Sequence, residues 1–217
     1  MSLDEFVHLL RPAGGEPEGA IVLFHGRGAH EHDLFPLIDI MDPQARLVGA
    51  TVRGPLQLPP GGYHWYVSGR VGYPEPESFQ ATYSALGEWL EAFSGETGVP
   101  MSRTFLGGFS QGAVMTYAMG LGKGRPRPAG LLPFSGFIPQ VEGFELDLDR
   151  AKGLPVAIGH GFLDDVIPVE YGLQARDRLT KAGAAVTYRE APMGHGIEPD
   201  FLISLQDWIV EAAKAGL

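Results

Sequence analysis

Short apolar runs alternate along this chain with longer stretches whose apolar residues recur at spacings of three and four. The runs at 20–25 (AIVLFH), 46–52 (RLVGATV), Thr104–Phe109 (TFLGGF), Gly130–Phe134 (GLLPF), 155–160 (PVAIGH) and 185–190 (AVTYRE) predict six strands. Those at 20–25, Thr104–Phe109 and 155–160 are nearly continuous in apolar residues, as strands covered on both faces should be. Four segments predict helices. In 78–93, Phe79, Tyr83, Leu86, Leu90 and Phe93 make one apolar face behind Ser78 as a candidate N-cap. A second helix should start at or just after Ser110 and carry Ala113, Val114, Tyr117 and Ala118. A third follows Pro168 to about residue 182, where Gly183 stops it. The last covers Pro199–Ala215 with Phe201, Leu205, Trp208 and Ile209 inward. Alternating strands and helices predict an α/β fold with a mostly parallel sheet and helices on both faces. The 217 residues suit one domain over 1–217.

Two stretches break the alternation. Residues 123–128 (KGRPRP) read as a basic surface turn, too short and Pro-broken for a nucleic-acid patch. Residues 53–77 are rich in Gly, Pro and aromatics, including Tyr63, Trp65 and Tyr66, and are expected to pack beside a functional site. Composition narrows the partners. Hydrophobic residues make up 44% and charged ones 19%, as in an ordinary globular chain. A net charge of −10 argues against polyanionic nucleic acids and anionic lipid surfaces. With no cysteine, disulfides, thiolate metal sites and a Cys nucleophile are excluded. Acidic Asp4 and Glu5 stand where a signal peptide carries Lys or Arg, and no run approaches the ~20 apolar residues of a membrane span. The expectation is a cytoplasmic protein without stable membrane association.

Gly108-Phe109-Ser110-Gln111-Gly112 fits G-x-S-x-G. A nucleophile on a sharp strand-to-helix turn has a strained backbone, and residues two positions either side must be tiny. In a chain with 31 glycines the pattern alone is weak, but an apolar strand runs into it and a helical pattern leaves it. Ser110 is therefore the expected nucleophile. A Ser hydroxyl needs a general base and a carboxylate to orient it, in chain order Ser, acid, His for this turn. His195 is the one histidine between the last strand and the last helix. Asp164 and Asp165 both follow the preceding strand, and spacing leaves the choice between them open. Oxyanion donors are expected from the backbone N–H groups of Gln111 and of Arg27, in the early F-H-G-R-G turn. His30-Glu31-His32 lacks H-E-x-x-H spacing, so no metal is expected; His25 and His160 read as structural.

Four motifs, LFHGRG (23–28), GGFSQG (107–112), HGFLDDVIP (160–168) and GHG (194–196), span most of the chain in order. In these the chain resembles the phospholipase/carboxylesterase family of α/β hydrolases, which includes acyl-protein thioesterases and small bacterial carboxylesterases. HDLFPL (32–37) and VRGPL (52–56) also resemble the bacterial esterases. The resemblance implies an α/β-hydrolase fold without a large cap domain, no cofactor and, as in many members, a homodimer. Its H-G-x-x-D pattern puts the acid on Asp164. Arg27 and the 53–77 loop depart from the family pattern, which bears on substrate choice. The expected function is a serine carboxylesterase acting on short-to-medium acyl esters through Ser110, His195 and Asp164. The alternatives are an acyl-protein thioesterase, a lysophospholipase or a non-catalytic binding protein. Tyr63, Trp65, Phe162, Leu163 and Ile197 are the expected pocket walls.

Overall fold

The computed structural model describes residues 6–215. Asp4 and Glu5, which bear on the signal-peptide argument, lie outside the described residues. A seven-stranded sheet is built from β1 (His8–Arg11), β2 (Gly19–Phe24), β3 (Leu47–Val52), β8 (Thr104–Phe109), β9 (Gly130–Phe134), β10 (Pro155–Gly161) and β11 (Ala185–Ala191). The four intervening strands, β4 (Leu56–Leu58), β5 (Gly62–His64), β6 (Ser68–Arg70) and β7 (Tyr73–Pro74), form two small hairpins. The large sheet has the order β1-β3-β2-β8-β9-β10-β11 and only β1 runs antiparallel. All six apolar runs are strands of it, within one residue of their expected ends.

Among the described residues five α-helices cover the sheet: α1 (Phe35–Met41), α2 (Pro76–Thr97), α3 (Gln111–Leu121), α4 (Glu170–Lys181) and α5 (Pro199–Ala215). The period-2 alternation of a strand distributes the core between its faces. In β2, Ala20, Val22 and Phe24 pack with residues of α2, α3 and α4, including Phe79, Val114 and Leu179. Ile21 and Leu23 pack on the other face with Ile38 of α1 and Leu205 and Ile209 of α5.

Three features differ from the sequence expectation. Helix α2 starts three residues early, because Glu75, not Ser78, caps it by accepting from the Glu77 and Ser78 N–H groups. Strand β1 and the seven-residue α1 were not expected; both are too short to show a period. Residues 53–77 are not an irregular loop. They carry the two hairpins, and Trp65 within them is fully buried.

The loops that follow β2, β3, β8, β9, β10 and β11 converge at the C-terminal edge of the sheet, where ligands bind in open α/β sheets.

Candidate active site

Ser110 is the single residue between β8 and α3. Its backbone has φ 56° and ψ −118°, a left-handed conformation that costs a non-glycine residue on the order of 1–3 kcal/mol. The turn is held from outside: Ser110 N–H donates to the Phe134 carbonyl at 2.9 Å, and Val114 N–H to the Ser110 carbonyl at 3.2 Å. The expected steric reason for the flanking glycines is visible. A Cβ on Gly108 would lie 2.5 Å from the Gly112 carbonyl carbon, and one on Gly112 would overlap the Phe24 carbonyl of β2. Ser110 is the N-cap of α3, so it stands at the helix end whose first N–H groups have no partner inside the helix.

His195 Nε2 lies 2.9 Å from Ser110 Oγ, and His195 Nδ1 lies 2.7 Å from Asp164 Oδ2. An ionised carboxylate only accepts, so Nδ1 carries the proton toward Asp164 and Nε2 is left to accept from the serine. Asp164 is 7% exposed, and its other oxygen accepts from the N–H groups of Val166 (2.9 Å) and Ile167 (2.8 Å). Asp165 faces solvent. The His195 loop is itself anchored. Ser135 Oγ donates to the Gly196 carbonyl at 2.8 Å, and Leu163 N–H donates to the Met193 carbonyl at 3.1 Å.

A cavity of about 250 Å³ opens beside Ser110. Arg27, Tyr66, Ser68, Gly69, Arg70, Val71, Gln111, Phe137, Val166, Ile167 and His195 line it. Both residues expected to supply oxyanion donors thus border it. The Gln111 side chain has a separate task that sequence reasoning missed. Its Oε1 accepts from Trp65 N–H at 3.1 Å, and its Nε2 donates to the Tyr66 carbonyl at 3.1 Å and to Ser68 Oγ at 2.8 Å. It ties the stretch after β5 to the serine turn.

The five side chains expected as pocket walls do not line this cavity. Trp65 is too apolar to stay at the surface; it fills the core, and its indole N–H donates to the His25 carbonyl at 2.7 Å. Tyr63 pairs with Ala29 and lies under the Arg53 guanidinium. Phe162 and Leu163 sit on the outside of the Asp164 turn, 47% and 62% exposed. Ile197 packs behind His195 against the α1/α5 core. The walls come instead from Tyr66, Ser68, Arg70, Val71, Phe137, Val166 and Ile167. Val166 and Ile167 were findable, because they stand two and three residues after the acid.

Buried polar groups brace the site. His25 bridges two loops: Nδ1 donates to the Gly26 carbonyl at 2.7 Å and Nε2 accepts from Gly54 N–H at 2.8 Å. Burial pushes its pKa down, which keeps the ring neutral. His160 Nε2 donates to the Ile167 carbonyl at 2.8 Å and so supports the turn that holds Asp164. Glu31 accepts from Arg53 Nε at 2.5 Å and Nη2 at 2.6 Å. These bonds hold its carboxyl at a pKa of about 2 and commit both its oxygens. Among the described residues no three His, Asp or Glu side chains are grouped as metal ligands. No helix among them is long and apolar enough to cross a membrane.

Comparison with known proteins agrees with the fold and with the motifs. A protein of Oryza sativa subsp. japonica named a probable carboxylesterase is 32% identical over 120 residues, 54% of this chain and 45% of that one. Acyl-protein thioesterase 1 of Cryptococcus neoformans var. neoformans serotype D is 29% identical over 134 residues, 55% of this chain and 56% of that one. The matches therefore span about half the length of these relatives. The crystal structure of a Bacillus cereus carboxylesterase superposes with a TM-score of 0.82 at 22% identity, over 95% of this chain and 94% of that chain, and this likeness shows the α/β-hydrolase fold. The phospholipase/carboxylesterase family model matches residues 10–212, and the chain belongs to that family.

Proposed function

We propose that this protein is a serine carboxylesterase for short-to-medium acyl esters. The observation that carries the reading is the unbroken chain Ser110 Oγ, His195 Nε2, His195 Nδ1, Asp164 Oδ2, with links of 2.9 and 2.7 Å. His195 Nε2 takes the Ser110 proton as Oγ attacks the ester carbonyl carbon. The carbonyl oxygen becomes an oxyanion, held by the N–H groups of Gln111 and Arg27. His195 returns the proton to the departing alcohol oxygen, and the acyl group stays on Ser110. Water then gives its proton to His195 and attacks the acyl carbon; the acid leaves and Ser110 regains its proton. Asp164 orients the imidazole throughout and stabilises its charged form.

The cavity of about 250 Å³ supports small substrates, since it falls below the ~300–1,000 Å³ of sites for drug-sized ligands. The exposed apolar residues Val71 and Val166 that line it favour a second reading, a longer acyl chain as in a thioesterase or lysophospholipase. Nitrophenyl esters of rising acyl length, run beside a long-chain thioester and a lysolipid, separate the two. The first reading expects the highest kcat/KM on a short ester. We further take residues 1–217 as one cofactor-free domain of a cytoplasmic enzyme that self-associates as a homodimer. Ser110→Ala should abolish turnover while leaving the unfolding transition cooperative; full activity in that variant would overturn the assignment.

A further inference from the structure

Charge is distributed unevenly around the cavity. The chain carries a net −10, yet the only charged side chains lining the cavity beside Ser110, apart from His195, are two arginines, Arg27 and Arg70. Arg11, Arg46, Arg53, Arg176 and Arg189 each pair with a carboxylate. Among the described residues, neither Arg27 nor Arg70 has one within 4.0 Å. Both are exposed to an entering ligand.

Arg70 is also held in place. Its guanidinium lies 3.8 Å from the centre of the Tyr73 ring across the β6–β7 hairpin. That hairpin is tethered from three directions. Gln111 Nε2 donates to Ser68 Oγ at 2.8 Å, Tyr171 Oη to the Val71 carbonyl at 3.1 Å, and Gln140 N–H to the Gly72 carbonyl at 3.2 Å. A stacked guanidinium on an anchored hairpin gives up little freedom when it pairs with an anion.

Arg27 follows β2, and the hairpin that carries Arg70 reaches across the C-terminal edge of the sheet to Gln140 after β9 and Tyr171 of α4, so the two arginines border the cavity that holds Ser110.

We propose that the site selects esters that carry a second, free carboxylate, such as a monoester of a short dicarboxylic acid, with that carboxylate paired to Arg70 and Arg27. The inference rests on ester hydrolysis at Ser110. Water is consumed, the bond from acyl carbon to alcohol oxygen breaks, and the products of such a monoester are an alcohol and a dicarboxylate.

The test compares mono-4-nitrophenyl glutarate with its methyl-capped neutral diester on the wild-type protein and on Arg70→Gln, following nitrophenolate. The ratio of kcat/KM, anionic over neutral, should be about fivefold or more in wild type, should fall toward 1 in Arg70→Gln, and should shrink with added salt. A ratio of 1 or below in wild type, or one that Arg70→Gln leaves unchanged, overturns the proposal. Calorimetric titration with glutarate reads the anion site without turnover. Binding that weakens about fivefold in Arg70→Gln supports it, and absent or Arg70-independent binding overturns it. If neither ester releases nitrophenolate while glutarate binding depends on Arg70, ester hydrolysis fails and the anion site stands.

Discussion

Gln111 offers a test that separates two tasks of one residue. Its backbone N–H is assigned to the oxyanion, while its side chain makes three hydrogen bonds to Trp65, Tyr66 and Ser68. Gln111→Ala keeps the first and removes the second. Each bond is worth about 1 kcal/mol net, and the Trp65 N–H and Tyr66 carbonyl, left without this partner in a buried site, add a desolvation cost of about 1–3 kcal/mol. Partial relaxation brings the expected loss to about 2–4 kcal/mol, or on the order of 5–12 °C in Tm for a chain of this size. The stretch carrying Ser68 and Arg70 also loses its tie to the serine turn, so KM should rise more than kcat falls. Ser68→Ala removes only one of the three bonds and should cost about 1 kcal/mol or less. Urea unfolding and steady-state kinetics on a nitrophenyl ester read both effects. If Gln111→Ala unfolds within about 0.5 kcal/mol of wild type, or keeps its KM, the side chain does not hold this wall.

Other substitutions probe the frame. Gly112→Ala places a Cβ on the Phe24 carbonyl, so backbone must move; a loss of about 3 kcal/mol or more is expected in urea unfolding, together with lower reactivity of Ser110 toward a fluorophosphonate. Asp164→Asn should lower kcat about 10³- to 10⁴-fold, whereas Asp165→Asn, on an exposed residue, should change it little; equal losses would put the acid in doubt. Arg53 depresses the Glu31 pKa from 4.5 to about 2, so this pair stabilises the fold fully above pH 4.5 and loses its contribution, on the order of 3 kcal/mol, as pH falls toward 2. The stability difference between wild type and Glu31→Gln, measured by urea unfolding at stepped pH, should therefore shrink over that window. Burial lowers the His25 pKa, so a second, earlier loss should begin below pH 6.5 and be absent where His25 is replaced by Gln.

The sheet was readable because its strands are covered on both faces, which leaves runs such as AIVLF and TFLGGF almost free of polar residues. The serine turn was readable because its geometry excludes side chains at Gly108 and Gly112. Asp164 and Asp165 could not be told apart by spacing. What separates them in space is the turn in which Asp164 Oδ1 takes the Val166 and Ile167 N–H groups. The pocket walls were misplaced for a physical reason: aromatic residues in a polar segment mark it as packed without saying against what. Trp65 serves the core, and the cavity is lined by its polar neighbours Ser68 and Arg70, which have no periodic signature. Strand β1 and helix α1 were too short for any period to show.

The central claim is that Ser110 carries the acyl group while His195 and Asp164 move and steady its proton. It is tested most directly by mixing the protein with excess 4-nitrophenyl acetate, quenching within the first turnover and mapping the adduct by peptide mass spectrometry. The account predicts a nitrophenolate burst that matches one acetyl group per chain on the peptide containing Ser110, lost in His195→Ala. Turnover without an acylated Ser110, or acetylation mapped to another residue, would contradict it.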